Sequence, residues 1–119
     1  MASFSGSGKQ VSATVTIANG ESLSDAAELL SLTLIGILIP AAWTSAGLTF
    51  QASADGTTYG NLVESSGEIN IGTLAAGAFV SLDPAKFLAA RYIKVRSGTS
   101  GTPVNQGADR SVVLFGLQL

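Results

Sequence analysis

Acid–base chemistry in this chain would have to be built from eight carboxylates: Glu21, Asp25, Glu28, Asp55, Glu64, Glu68, Asp83 and Asp109. Histidine and cysteine are both absent. A glycosidase needs two carboxyl groups facing each other across the sugar, roughly 5 to 9 Å apart, and no pair here is marked out by its setting. Asp55 belongs to a turn signal, Asp83 precedes Pro84 at a capping position, and Glu64 and Glu68 flank the polar Ser65-Ser66-Gly67. A serine nucleophile would have no histidine base. The commonest zinc ligand is missing, and so is thiol and disulfide chemistry. No dense Asp/Asn cluster has the spacing of a calcium loop. The expectation is a protein that is not an enzyme and carries no metal or cofactor.

Recognition chemistry is better represented. Sugar rings stack on aromatic faces, and Trp43, the only tryptophan, and Tyr59 are the candidate platforms. Each also has a structural alternative, Trp43 as a lid over the core and Tyr59 as a packing residue of a turn. The stretch 98–110 is long and polar, and loops of this length in compact domains usually carry function or are disordered. Its Asn105, Gln106 and Arg110 can bond a glycan or a neighbouring subunit. The candidate ligand set is therefore Trp43, Tyr59, Asn105, Gln106 and Arg110. Arg91 shares strand parity with Ile93 and Val95, and an arginine on a buried face must be paired. Asp83 or Asp25 is the expected partner, which makes Arg91 structural. Lys94 and Arg96 fall on the opposite parity, as a solvated face or a contact with an acidic neighbour.

The elements that must hold these residues are strands. Leu48, Phe50, Ala52 and Ala54 alternate with Thr49, Gln51 and Ser53, the two-residue period of a half-buried strand. Asp55-Gly56 then supplies the left-handed backbone of a tight hairpin turn, a structural role for both residues. Residues 11–17 alternate in the same way and end at Asn19-Gly20. Residues 30–39 are apolar on both parities, so this strand should be central and covered on both faces, with Gly36 a possible bulge and Pro40 its end. Further strands are expected at 68–71, 78–82 and 91–96, and at 112–119, again apolar on both faces. Asp83-Pro84 should open a single helical turn. Ser24-Asp25-Ala26-Ala27-Glu28 reads as a short capped helical turn or as a loop. Strands every eight to twelve residues predict an all-β, single-domain antiparallel β-sandwich of jelly-roll type over residues 11–119. Residues 1–10 read as a flexible or partner-bound N-terminal arm.

At 119 residues the chain can bury one sizeable core. Charged residues are 12% of it, about half the usual share, and the net charge is −2. A sparsely charged, near-neutral surface favours association, which predicts a homo-oligomer or an assembly with other chains. Six Lys and Arg residues cannot make the basic stripe that nucleic acid requires. The uncharged stretch 29–54 is interrupted by Ser31, Thr33, Gly36, Pro40, Thr44, Ser45 and Gly47, so no membrane span is expected. The first ten residues have no apolar run of the kind a signal peptide carries.

Two segments also carry a family resemblance. Leu34-Ile-Gly-Ile-Leu-Ile39 through Ser53-Ala-Asp55-Gly56-Thr-Thr-Tyr59 is one, and Ala90-Arg91-Tyr92-Ile93-Lys94-Val95 with Val113-Leu114-Phe115-Gly116-Leu117 is the other. Over residues 32–119 their order resembles the discoidin, or coagulation-factor C-domain, type of galactose-binding-like jelly roll. That family has a Ser-x-Asp-Gly turn before an aromatic residue, an Ala-Arg-Tyr-Ile/Val-Arg strand, and a closing apolar strand. The chain departs from it in having no cysteines, in carrying Tyr59 where tryptophan is common, and in its first third. The pattern with Gly36-Ile-Leu-Ile-Pro-Ala-Ala-Trp43 and Arg96-Ser-Gly-Thr-Ser100 also looks like small proteins encoded among bacteriophage structural genes. The resemblance implies a virion structural protein, such as a head decoration, spike or fibre-base module. It would be made in the host cytoplasm, assembled with other virion proteins, and able to contact host polysaccharide. The alternative is a stand-alone carbohydrate-binding module.

Overall fold

The structure, a computed structural model, describes residues 1–118. The strands are β1 (Ala2–Ser3), β2 (Gln10–Ile17), β3 (Ala27–Glu28), β4 (Leu32–Leu38), β5 (Ala46–Ser53), β6 (Gly60–Asn61), β7 (Val63–Glu64), β8 (Gly67–Glu68), β9 (Thr73–Leu74), β10 (Phe79–Ser81), β11 (Tyr92–Ser97) and β12 (Arg110–Gln118). One sheet runs β1-β3-β11-β5-β6, with β9 also on β5, and a second runs β10-β4-β12-β2. The pairs are antiparallel except β1 with β3. Successive strands β2, β3, β4, β5, then β10, β11, β12 alternate between the sheets, the winding of a jelly roll. The chain is an all-β, single-domain β-sandwich.

Period-two patterning builds the core. Val15, Ile17, Leu34, Ile37, Val112 and Leu114 of one sheet face Ala27, Leu48, Phe50, Ile93 and Val95 of the other, all fully buried. Phe87 closes the core from below, meeting Phe50 edge to face with ring centroids 5.0 Å apart. It is delivered by the 3-10 turn Pro84–Phe87, where Asp83 accepts a bond from the Ala85 amide and Pro84 occupies the first position. No helix among the described residues is long and apolar enough to cross a membrane.

Several local expectations are corrected. Residues 24–28 make no helical turn. The Ser24 hydroxyl oxygen accepts from the Val95 amide (2.9 Å), which turns Ala26 and Ala27 into the core as the approach to β3. Strand β4 starts at Leu32 rather than Leu30, because Leu30 turns back with φ +56° and Leu32 N–H bonds the Leu29 carbonyl at 2.9 Å. The bulge is present, but its extra residue is Ile35: Phe115 pairs with Gly36 and Gly116 with Leu34. The strand expected at 68–71 shrinks to Gly67–Glu68, one arm of a hairpin with Val63–Glu64. The N-terminal arm is docked on its own chain. Ala2 and Ser3 pair with Ala27 and Glu28, Ser5 pairs with Ser12, and Phe4 packs against the core.

The Asp55-Gly56 corner is wider than a two-residue turn. Ladder pairing stops at Gln51–Asn61 and Ala52–Gly60. Side chains shape the loop instead. Asp55 Oδ1 accepts from the amides of Thr57 and Thr58, both at 2.9 Å, and from the Ser53 hydroxyl at 3.0 Å. The Ser53 oxygen accepts from the Gly56 amide at 2.9 Å. Those bonds, led by Thr58 and Thr57, hold the Asp55 carboxyl below the usual carboxylate range. A depressed pKa stabilises the fold above the unfolded-state value of about 3.9 and stops doing so as pH falls through the folded value. The melting-temperature gap between wild type and Asp55→Ala should therefore be present at pH 7 and close as pH drops below about 4. Gly56 has φ +78°, and a Cβ there would sit 3.0 Å from the Tyr92 ring. Gly56→Val should cost about 1–2 kcal/mol in urea unfolding; an unchanged midpoint would refute the role given to this corner.

Candidate functional site

The long loop 98–109 and the β4–β5 loop meet at one end of the sandwich, and Gln106 joins them. It is 1% exposed. Its Oε1 accepts from the Thr44 amide (2.9 Å) and from Arg110 Nε (3.0 Å), and its Nε2 donates to the Thr44 carbonyl (3.0 Å). Its own backbone bonds the corner after β2: Gln106 N–H to the Glu21 carbonyl at 2.9 Å, and Gly20 N–H to the Gln106 carbonyl at 2.8 Å. Thr44 Oγ1 accepts from Arg110 Nη2 and from the Gly107 amide, both at 3.2 Å. Asp109 accepts from the Asn19 amide at 2.8 Å. One buried residue, through its side-chain amide and its backbone, thus braces three loops. Gln106 and Arg110 were expected to present hydrogen-bonding groups to a ligand; the Gln106 amide is spent inside the protein, with Arg110 bonded to it. Asn105 is exposed beside them.

Trp43 precedes Thr44 and is held by the same brace. It is half-buried and packs against the core, and its Nε1 is buried with no hydrogen-bond partner among the described residues. An unmade bond of this kind costs about 1–3 kcal/mol, so packing must keep the ring in place. Trp43→Ala should cost about 2–3 kcal/mol, below the ~3–5 of a fully buried aromatic because part of the ring is exposed. Trp43→Phe, which removes the orphaned donor, should cost less than half as much; equal losses in thermal melts would contradict this.

Tyr59 lies at the opposite end. Strand β5, eight residues long, separates it from Trp43, a span of about 25 Å at ~3.3 Å per residue. Lys94 Nζ sits 4.3 Å above the Tyr59 ring centre, so this face is already occupied by a cation. Burial pushes the Tyr59 hydroxyl pKa up, and nearby Tyr92 and Asp55 add to it. Tyr92 donates to Glu28 Oε2 at 2.9 Å, the bond that raises its own pKa. The five candidate ligand residues therefore do not form one site.

Arg91 is also corrected. It precedes β11 rather than lying within it, so its parity does not carry it inward. It is exposed and lines a shallow groove with Leu30, Leu32 and Leu88. The buried arginine is Arg96, 6% exposed. Its Nη1 meets Glu68 Oε2 at 3.1 Å and Thr49 Oγ1 at 3.3 Å, and its Nη2 meets Asn61 Oδ1 at 2.7 Å. Glu68 Oε1 also accepts from the Ser100 amide at 3.1 Å. Parity places Arg96 on the outer face of its sheet, but the excursion through β6–β8 folds over that face. Nothing in strand periodicity signals such a cover.

Other carboxylates are dispersed in structural roles. Asp25 accepts from the Thr16 amide at 2.8 Å, and Glu64 pairs with Lys86 at 3.0 Å on the surface. Among the described residues no three of His, Cys, Asp and Glu are gathered as a metal site would need. Comparison of the chain with protein-family models, with curated proteins and with solved structures finds no match.

Proposed function

We propose that this protein is a non-enzymatic structural module that assembles with other chains, in the manner of a bacteriophage head-decoration, spike or fibre-base protein on a galactose-binding-like jelly roll. The observation that carries this reading is the braced loop end. A glycan site needs an open aromatic face and unspent hydrogen-bonding groups. Here the Gln106 amide, Thr44 and Arg110 bond one another, and Trp43 is pressed onto the core with its N–H turned inward. Such an end suits a rigid contact surface better than a ligand cleft. The 12% charged composition supports the same reading, because assembly buries surface that would otherwise need charge. The alternative is the free carbohydrate-binding module. Light scattering on the purified chain, a glycan array, and co-purification with intact particles separate the two. A defined oligomer or particle association without glycan signal supports the assembly module; a strict monomer that binds glycans overturns it.

A further inference from the structure

The four-stranded sheet has an outer face unlike that of an ordinary two-layer sandwich. Strands β4 and β12 are apolar on both parities, the composition of strands covered on both sides. Among the described residues, the core packs on one side of this sheet only. In register, Phe79, Leu38, Val113 and Thr14 form one outward row, and Ser81, Gly36, Phe115 and Ser12 the next. Phe79 is 64% exposed, and its ring stacks on Phe115 with centroids 4.8 Å apart and planes 21° apart. Gly36 lies between them on β4, and a Cβ there would meet the Phe79 ring at an ordinary contact distance of 3.6 Å and the Val80 carbonyl oxygen more closely, at 3.3 Å.

Outward positions of these four strands carry apolar, Ser, Thr or Gln side chains and no charged one. Strands β2, β4 and β12 span roughly 23–30 Å and β10 roughly 10 Å, at ~3.3 Å per residue, and the sheet is roughly 19 Å across at ~4.8 Å per strand. That is a projected face of roughly 430 Å² before side-chain relief is added, about half of the ~800 Å² each partner gives to a standard interface and enough for a small one. A charged partner surface would have to strip its ions of water against this face with nothing to pair them. A second copy brings an equally uncharged, equally apolar face, and two such sheets pack face to face at about 10 Å.

We propose that the outer face of β10-β4-β12-β2 forms a two-fold contact with a second copy of this chain, stacked across Phe79, Phe115 and Val113. The contact rests on the assembly-module reading and gives it a surface. A two-fold axis presents every outward substitution twice, so one lysine per chain places two cations in the interface. The test is sedimentation equilibrium over a concentration series on the full chain, with Phe79→Lys and Thr14→Lys and with Ser65→Lys in the β7–β8 hairpin as control. Wild type and the control should dimerise, or form larger bodies built on that dimer, and each of the other two variants should weaken association by about 100-fold or more. Thr14 is already exposed, so its variant answers even if Phe79→Lys does not fold. A monomeric wild type, or association indifferent to both lysines, overturns the proposal. A wild type that is monomeric alone yet co-purifies with particles overturns this contact while leaving the assembly reading intact. A monomer that binds glycan and no particle overturns both.

Discussion

Replacing Glu68 with alanine should destabilise the domain by about 3–5 kcal/mol, read as a lower urea midpoint at unchanged slope. The reason is what the substitution leaves behind. The Arg96 side chain is 8% exposed and that of Glu68 17%. Without the carboxylate, the buried guanidinium keeps only Asn61 and Thr49 as acceptors among the described residues. The Ser100 amide loses its acceptor as well, so the start of the long loop should loosen. Breaking a buried pair is costly, whereas replacing it with apolar side chains often is not. Glu68→Ala/Arg96→Met should therefore recover most of the loss. A single variant within about 1 kcal/mol of wild type would mean that the pair is hydrated and weak.

Gln106→Ala is the second large effect, expected at about 2–4 kcal/mol. It strands the Thr44 amide and carbonyl and removes the acceptor of Arg110 Nε. The functional reading is exposed to the same measurement. A loss below about 1 kcal/mol would show that these groups are readily satisfied by water. They would then be available to a ligand, and the carbohydrate-binding alternative would regain the residues it needs.

The sandwich was legible in the sequence because inward positions repeat every second residue. Val15 and Ile17, Leu48 and Phe50, Ile93 and Val95 all land in the core. The 3-10 turn was legible because Asp83-Pro84 is a local signal. The site was not, since its features depend on contacts far apart along the chain. Gln106 bonds Thr44 from 62 positions away, and Arg96 meets Glu68 across 28. Arginine parity misled for a related reason. It correctly says which face a residue occupies, but Arg91 lies before its strand begins, and the face of Arg96 is covered by a distant excursion. The outer face of the four-stranded sheet was half legible: double-sided apolar strands do announce a second cover, though not that the chain leaves it unfilled.

The separation of Trp43 from the tyrosines has a practical side. The chain has one tryptophan and two tyrosines, and both tyrosines, Tyr59 and Tyr92, lie at the pole opposite Trp43. Its two ends therefore carry distinct native chromophores. Indole fluorescence reports the opening of the Gln106 brace, and phenol absorbance reports the Asp55 corner and the Glu28 bond. Unfolding followed at both wavelengths shows whether the two poles melt together or apart, with no label added.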